Sequence, residues 1–216
     1  MHQSKYTNDV LKRFHMADCN TALTPAETNL VNVQTEEEKQ VEKTLYRQMI
    51  GTLRYICNTR PDIAHGVGVA SRFMENPLHS HIVVVKRIMR YLRGTHGLGI
   101  RFPSKHNTSC RLELIGFSDA DWCGDKSDRK STTGYLFKLG GAPISWCSKK
   151  QDVVALSSCE SEYIAASMCA RQAAWMSTLM EELGLKEEGD GFLLMVDNKS
   201  AINLALNPVA HGRSKI

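Results

Sequence analysis

What the sequence lacks narrows it first. No run of 18 apolar residues occurs, the length that a membrane-spanning helix requires, so no membrane role is expected. The opening MHQSKYTNDV has no apolar core of the secretory-signal kind. Seven cysteines are scattered along the chain, and none stands in a CxxC pair. That excludes a zinc ribbon and a thioredoxin-like redox site, and free thiols in this number predict a reducing compartment, cytoplasm or nucleus. No internal repeat or low-complexity run appears. Aromatic residues make up only 7%.

What is present fits a folded protein. With 216 residues, 42% hydrophobic and 23% charged, the chain has room for one full domain and a smaller unit. Charge is divided unevenly. Residues 1–110 hold 15 Lys+Arg against 9 Asp+Glu (15 − 9 = +6), and residues 111–216 hold 12 against 14 (12 − 14 = −2). Such a division suits a polyanion-binding surface beside a cation-binding site.

Residues 1–108 read as helical. Tyr6, Val10, Leu11 and Phe14 fall at helical spacing. A polar loop with Pro25 follows, and a second helix is predicted from about Glu37 through YRQMIGTLRYICN. Pro61 and Asp62 open a third helix, which runs to about Met74. Ser80 is placed to cap a fourth, HIVVVKRIMRYLRG, which Gly94 ends. Its apolar stripe is Val84, Ile88, Tyr91 and Leu92. Lys86, Arg87, Arg90 and Arg93 lie largely off that stripe, either as a solvated face or as a ridge that contacts phosphates.

Residues 109–216 change pattern. LELIGFSD (112–119), GYLFKLGG (134–141) and PISWCSKK (143–150) read as three strands, the last two joined by a tight Gly140-Gly141 turn. A long helix capped by Ser157 or Ser158 and ended by Gly184 comes next. FLLMVD (192–197) reads as a short buried strand, and NKSAINLALN (198–207) as a helix stopped by Pro208. The order βββαβα implies a mixed sheet with one parallel pairing. Asp119 and Asp197 then end two strands, while Glu162 lies in the first turns of the long helix. Carboxylates beyond strand ends can converge although far apart in sequence. Gathered together they repel one another unless a cation joins them, and hard oxygen ligands favour Mg²⁺ or Mn²⁺, two ions serving in-line phosphodiester hydrolysis. Asp121 is the weaker alternative ligand. Trp122 and Trp146 read as core rather than base-stacking residues.

The strings GFSDADWCGDKSDRKSTTGYLFKLGGAPISWCSKKQDVVALSSCESEYIAA and VDNKSAINLALNPVAHGRSK closely resemble the ribonuclease H domain of Ty1/copia-type retrotransposon polyproteins. KYTNDVLKRFHM, YRQMIGTLRYICNTRPDIAHGVGVASRFMENP and KRIMRYLRGT resemble the region that joins reverse transcriptase to it. The resemblance implies a ribonuclease H-like α/β fold behind a helical connection region. It implies hydrolysis of the RNA strand of an RNA–DNA hybrid, with Asp119, Glu162 and Asp197 as the Mg²⁺-binding catalytic residues. Ser157, Ser158, Asn198 and Ser200 are neighbours placed to bond 2′-hydroxyls or to cap helices. No YVDD-like string occurs, so DNA synthesis is not expected, and a polymerase would be a partner within a polyprotein. Family members continue past HGRSK into a last element with a fourth carboxylate, so this reading expects a sheet short of its fifth strand and weak or absent cleavage by the chain alone. The alternatives are an inactive remnant that binds nucleic acid and a purely structural connection unit.

Overall fold

The computed structural model describes residues 1–27, 38–103, 113–185 and 191–207. Two compact units divide at Arg101 and Phe102. The expected boundary at residue 108 lies outside the described residues.

The first unit is helical: α1 (Ser4–Arg13), α2 (Lys43–Ile56), a 3₁₀ turn (Pro61–Ile63) leading into α3 (Ala64–Ser71), and α4 (His79–Gly94). Helix α2 starts later than predicted because the Glu42 carboxylate accepts the amide protons of Thr44 at 2.8 Å and Leu45 at 2.7 Å, fixing the cap there. From that cap Tyr46, Met49, Ile50, Leu53 and Ile56 fall on one buried face. They meet Val10 and Leu11 of α1, Val67 of α3, and Val85, Ile88, Met89 and Leu92 of α4 in one core. Each such side chain contributes roughly 1.5–3 kcal/mol on burial.

Two predicted ends move. Ser80 does not cap α4: the helix begins at His79, and the backbone N–H of Leu78 donates to Nδ1 of His81 at 3.0 Å. The imidazole is itself buried and stacked on Phe73 at 3.8 Å between ring centres, so packing places it where a cap is needed. Ser80 instead donates its Oγ–H to Glu38 at 3.1 Å. Helix α3 stops at Ser71, three residues short of Met74, and the Ser71 hydroxyl bonds back to the Val67 carbonyl at 2.7 Å.

The second unit is the mixed α/β fold of ribonuclease H type that was expected. Strands β1 (Leu114–Asp121), β2 (Thr132–Leu139), β3 (Ala142–Lys150) and β4 (Leu193–Val196) form one sheet in the order β3-β2-β1-β4. β1/β2 and β2/β3 are antiparallel, and β1/β4 is parallel. Gly140 and Gly141 turn the β2–β3 hairpin with φ of +55° and +84°, which side-chain-bearing residues adopt only with strain. Helix α5 (Ser158–Glu182) lays Glu162, Ala165, Cys169, Ala173, Met176 and Met180 against the sheet, the small residues in the middle allowing a close approach to Phe137. The Ser157 hydroxyl caps it by accepting the Glu160 N–H at 3.1 Å. α6 (Lys199–Leu206) ends the described chain. One expectation fails. β4 is not buried: Leu193 and Met195 are about half exposed, because they share the face of Phe117, opposite α5, where β4 is the end strand of the described sheet.

Candidate metal centre

β1 and β4 run parallel in the register Ser118 opposite Val196, so the residues that follow, Asp119 and Asp197, are neighbours; Asp197 lies just beyond β4, but Asp119, expected to end its strand, lies inside β1, which pairs with β2 as far as Asp121. Helix α5 packs over β1 with Glu162 near its start. One carboxylate oxygen from each of Asp119, Glu162 and Asp197 lies within 4.8 Å of the others. The first and last are exposed, whereas Glu162 is 7% exposed.

The backbone holds two of these groups at once. The N–H of Ala120 donates to Oδ1 of Asp119 at 2.9 Å and to Oε1 of Glu162 at 3.2 Å. Oε2 of Glu162 is buried without a protein partner. Burial pushes the Glu162 carboxyl above its ordinary value; the Ala120 N–H opposes this, and the charges of Asp119 and Asp197 add to the rise. A buried acceptor without a donor, beside two further carboxylates, fits a hard cation.

Asp121 stays apart. A Cβ on Gly124 would meet its Oδ2 at 1.7 Å, so the carboxylate folds over its own loop, and only glycine leaves room for it there. Beneath the cluster lies a residue that sequence reasoning missed. Gln151, 5% exposed, donates through Nε2 to Thr133 Oγ1 at 3.1 Å and to the Ser161 carbonyl at 3.0 Å, tying the end of β3 to β2 and to the turn that carries Glu162. A lone glutamine after a lysine pair gives no sequence signal of burial.

The other candidate residues separate. Ser157 and Asn198 act as helix caps, Asn198 accepting the Ala201 N–H at 3.0 Å. Ser158 and Ser200 are exposed in the first turns of α5 and α6. In the first unit only Lys86 of the four basic residues of α4 is exposed. Arg87 pairs with Glu27 and bonds to Thr24 Oγ1 at 2.9 Å, and Arg93 donates to the Ala17 carbonyl. The four therefore do not form one open ridge. Trp122, expected in the core, is 47% exposed.

The chain is 42% identical over 221 residues to the retrovirus-related Pol polyprotein from transposon TNT 1-94 of Nicotiana tabacum, covering 99% of this chain and 16% of that protein. It is 40% identical over 213 residues to the corresponding polyprotein from transposon RE1 of Arabidopsis thaliana, again over 99% of this chain and 14% of the relative. A shorter relative, the secreted RxLR effector protein 161 of Plasmopara viticola, is 46% identical over 133 residues, 61% of this chain and 91% of that protein. No family model and no solved structure matches. The chain thus spans about a sixth of the length of the polyproteins it matches.

Proposed function

Since the chain belongs to the Pol polyproteins of copia-type retrotransposons, we propose that its second unit is a ribonuclease H module acting on the RNA strand of RNA–DNA hybrids. The observation that carries this reading is the meeting of Asp119, Glu162 and Asp197, from two strands and a helix, within 4.8 Å. These three residues would hold Mg²⁺ or Mn²⁺, with two ions expected from the reaction type. When bound, the metal supplies an activated water and neutralises charge on the leaving oxygen.

The chain's own residues do the positioning. Ala120 fixes one oxygen of Asp119 and one of Glu162, leaving the second oxygen of each carboxylate for other ligands. Gln151 sets the start of α5, and with it Glu162, against the sheet. Asp119 and Asp197 are exposed beside a buried Glu162, so two of the three carboxylates are open to a phosphodiester.

The test is incubation of the full chain with labelled RNA–DNA hybrid and Mg²⁺, beside Asp119→Asn. Whatever cleavage of the RNA strand the parent shows is expected to fall about a thousandfold in the variant. Equal cleavage by both proteins would remove Asp119 from the site.

A further inference from the structure

The start of α4 and the segment before α2 are joined by reciprocal bonds. A helix begins with N–H groups that find no partner within the helix. Here the His79 N–H donates to the Lys39 carbonyl at 3.0 Å, and the Ser80 N–H donates to Glu38 Oε1. In return the Val41 N–H donates to the Pro77 carbonyl at 2.9 Å, and Gln40 pairs with Leu78. The Leu78 N–H differs from the rest, because its acceptor is a titratable ring, Nδ1 of His81 at 3.0 Å.

That bond fixes the state of the ring. Nδ1 accepts, so the imidazole is neutral and carries its proton on Nε2. Nε2 is buried without a partner among the described residues, and His81 as a whole is 3% exposed. A second proton would put a hydrogen on Nδ1 and set it against the Leu78 N–H. It would also charge a ring that lies flat against Phe73 and out of water. α4 itself adds the partial positive charge of its first N–H groups, which repels a cation there. From the segment 38–41 the Glu38 carboxylate acts the other way, and Phe73, in the turn after α3, brings no charge. Burial outweighs Glu38, and the net direction for His81 is down.

We infer that His81 is an acid-operated latch, which closes the first turn of α4 on the segment 38–41 when neutral and opens that turn when protonated. The folded ring takes up its proton less readily than the unfolded one. The closed turn is therefore fully held above the ordinary histidine range, and it is lost as pH falls through the folded value. Opening is local. Further along α4, Val85, Ile88, Met89 and Leu92 stay in the apolar core, and nothing in that core titrates with the ring. The latch is independent of the nuclease reading, since it lies wholly in the first unit.

Amide hydrogen exchange on the full chain, corrected for the intrinsic effect of pH, tests the latch beside a titration of the ring by NMR. Between about pH 7.5 and about pH 5, protection at Leu78, His79 and Ser80 is expected to fall about tenfold for each unit by which the ring is depressed. Protection at Ile88, Met89 and Leu92 is expected to stay level. His81→Asn keeps an acceptor oxygen near the place of Nδ1 and does not titrate, so its protection should not change with pH. His81→Leu offers no acceptor and should leave the turn open throughout. Glu38→Gln leaves the ring in place but removes the charge that favours its proton, so the loss should move to lower pH. That variant carries the test if His81→Asn does not fold. A loss as steep in His81→Asn as in the parent, or no movement in Glu38→Gln, overturns the latch. So does protection at Leu78 that outlasts protonation of the ring, or a loss shared equally by Ile88, Met89 and Leu92.

Discussion

The two units treat their charges in opposite ways. In the first, charge is neutralised inside the fold. Arg60 is 3% exposed and donates to both oxygens of Asp62, to the Thr95 carbonyl and to Thr95 Oγ1, while the Tyr91 hydroxyl donates to Asp62 at 2.8 Å. In the second, Glu162 is nearly as buried but faces two more carboxylates. Their apolar cores differ in the same sense. Among the described residues, 17 buried apolar side chains form the first cluster and 6 the sheet–helix cluster of the second. A unit with a large core and matched charges is built to stand, whereas one that gathers like charges under a small core keeps an unsatisfied site, the pattern expected where a ligand completes the structure.

The largest effect that would break this comparison is in the first unit. Arg60→Ala is expected to cost about 3 kcal/mol, because it leaves Asp62 with the Tyr91 hydroxyl but no cation and removes a donor from two oxygens of Thr95. Urea denaturation followed through the amides of α2 and α4 measures it, and a loss under about 1 kcal/mol would mean that the network is ornamental. A smaller effect of opposite sign is expected at the acidic cluster. Without metal at neutral pH, Glu162→Gln should raise the stability of the second unit by roughly 1 kcal/mol, since it removes a buried charge.

The pH dependence sharpens the contrast. The folded-state value of Glu162 lies above its unfolded one, so its contribution is present below the ordinary carboxylate range and is lost as pH rises through the folded value. Burial alone would push Asp62 up as well, but bonds from Arg60 and Tyr91 outweigh it, and the net direction is down. The contribution of Asp62 is therefore present above the unfolded range and is lost as pH falls through the folded value. The gain from Glu162→Gln should vanish on acidification, whereas the cost of Arg60→Ala should shrink only at lower pH. A Glu162→Gln gain that is constant from pH 4 to 8 would show that the carboxylate is not perturbed. The smallest effect is at α4: Lys86→Gln should change stability by less than about 0.5 kcal/mol, and Arg93→Gln should cost about 1 kcal/mol through its lost bond to Ala17.

Much of this was readable in the chain. Helix and strand order, the Gly140-Gly141 turn and the Ser157 cap follow from local chemistry, and Asp119, Glu162 and Asp197 could be chosen because two neighbouring parallel strands and one helix start must meet in such a sheet, although β1 runs on past Asp119 to Asp121. What was missed depends on packing. Ser80 has the better capping chemistry, but His81 is held by Phe73 where the Leu78 amide needs an acceptor. FLLMVD has the composition of a buried strand, yet the opposite sheet face leaves Leu193 and Met195 open. Trp122 looks like core by residue type, and only the carbonyl of Ala155 explains why it is held outside. Arg87 and Arg93 seemed available as cations because nothing local reveals Glu27 or the Ala17 carbonyl as their partners.

The parallel pairing of β1 with β4 also sets a timetable. Asp119 and Asp197 are 78 positions apart (197 − 119), and they become neighbours only when the last described strand docks beside the first. The hairpin and the long helix can form from nearby chain, but this pairing must close the longest loop in the unit. A chain that ends at α5 contains Asp119 and Glu162 but lacks the strand that brings Asp197 beside them. The acidic centre is thus a property of the whole sheet and not of any one local segment, and it needs every element from β1 to β4.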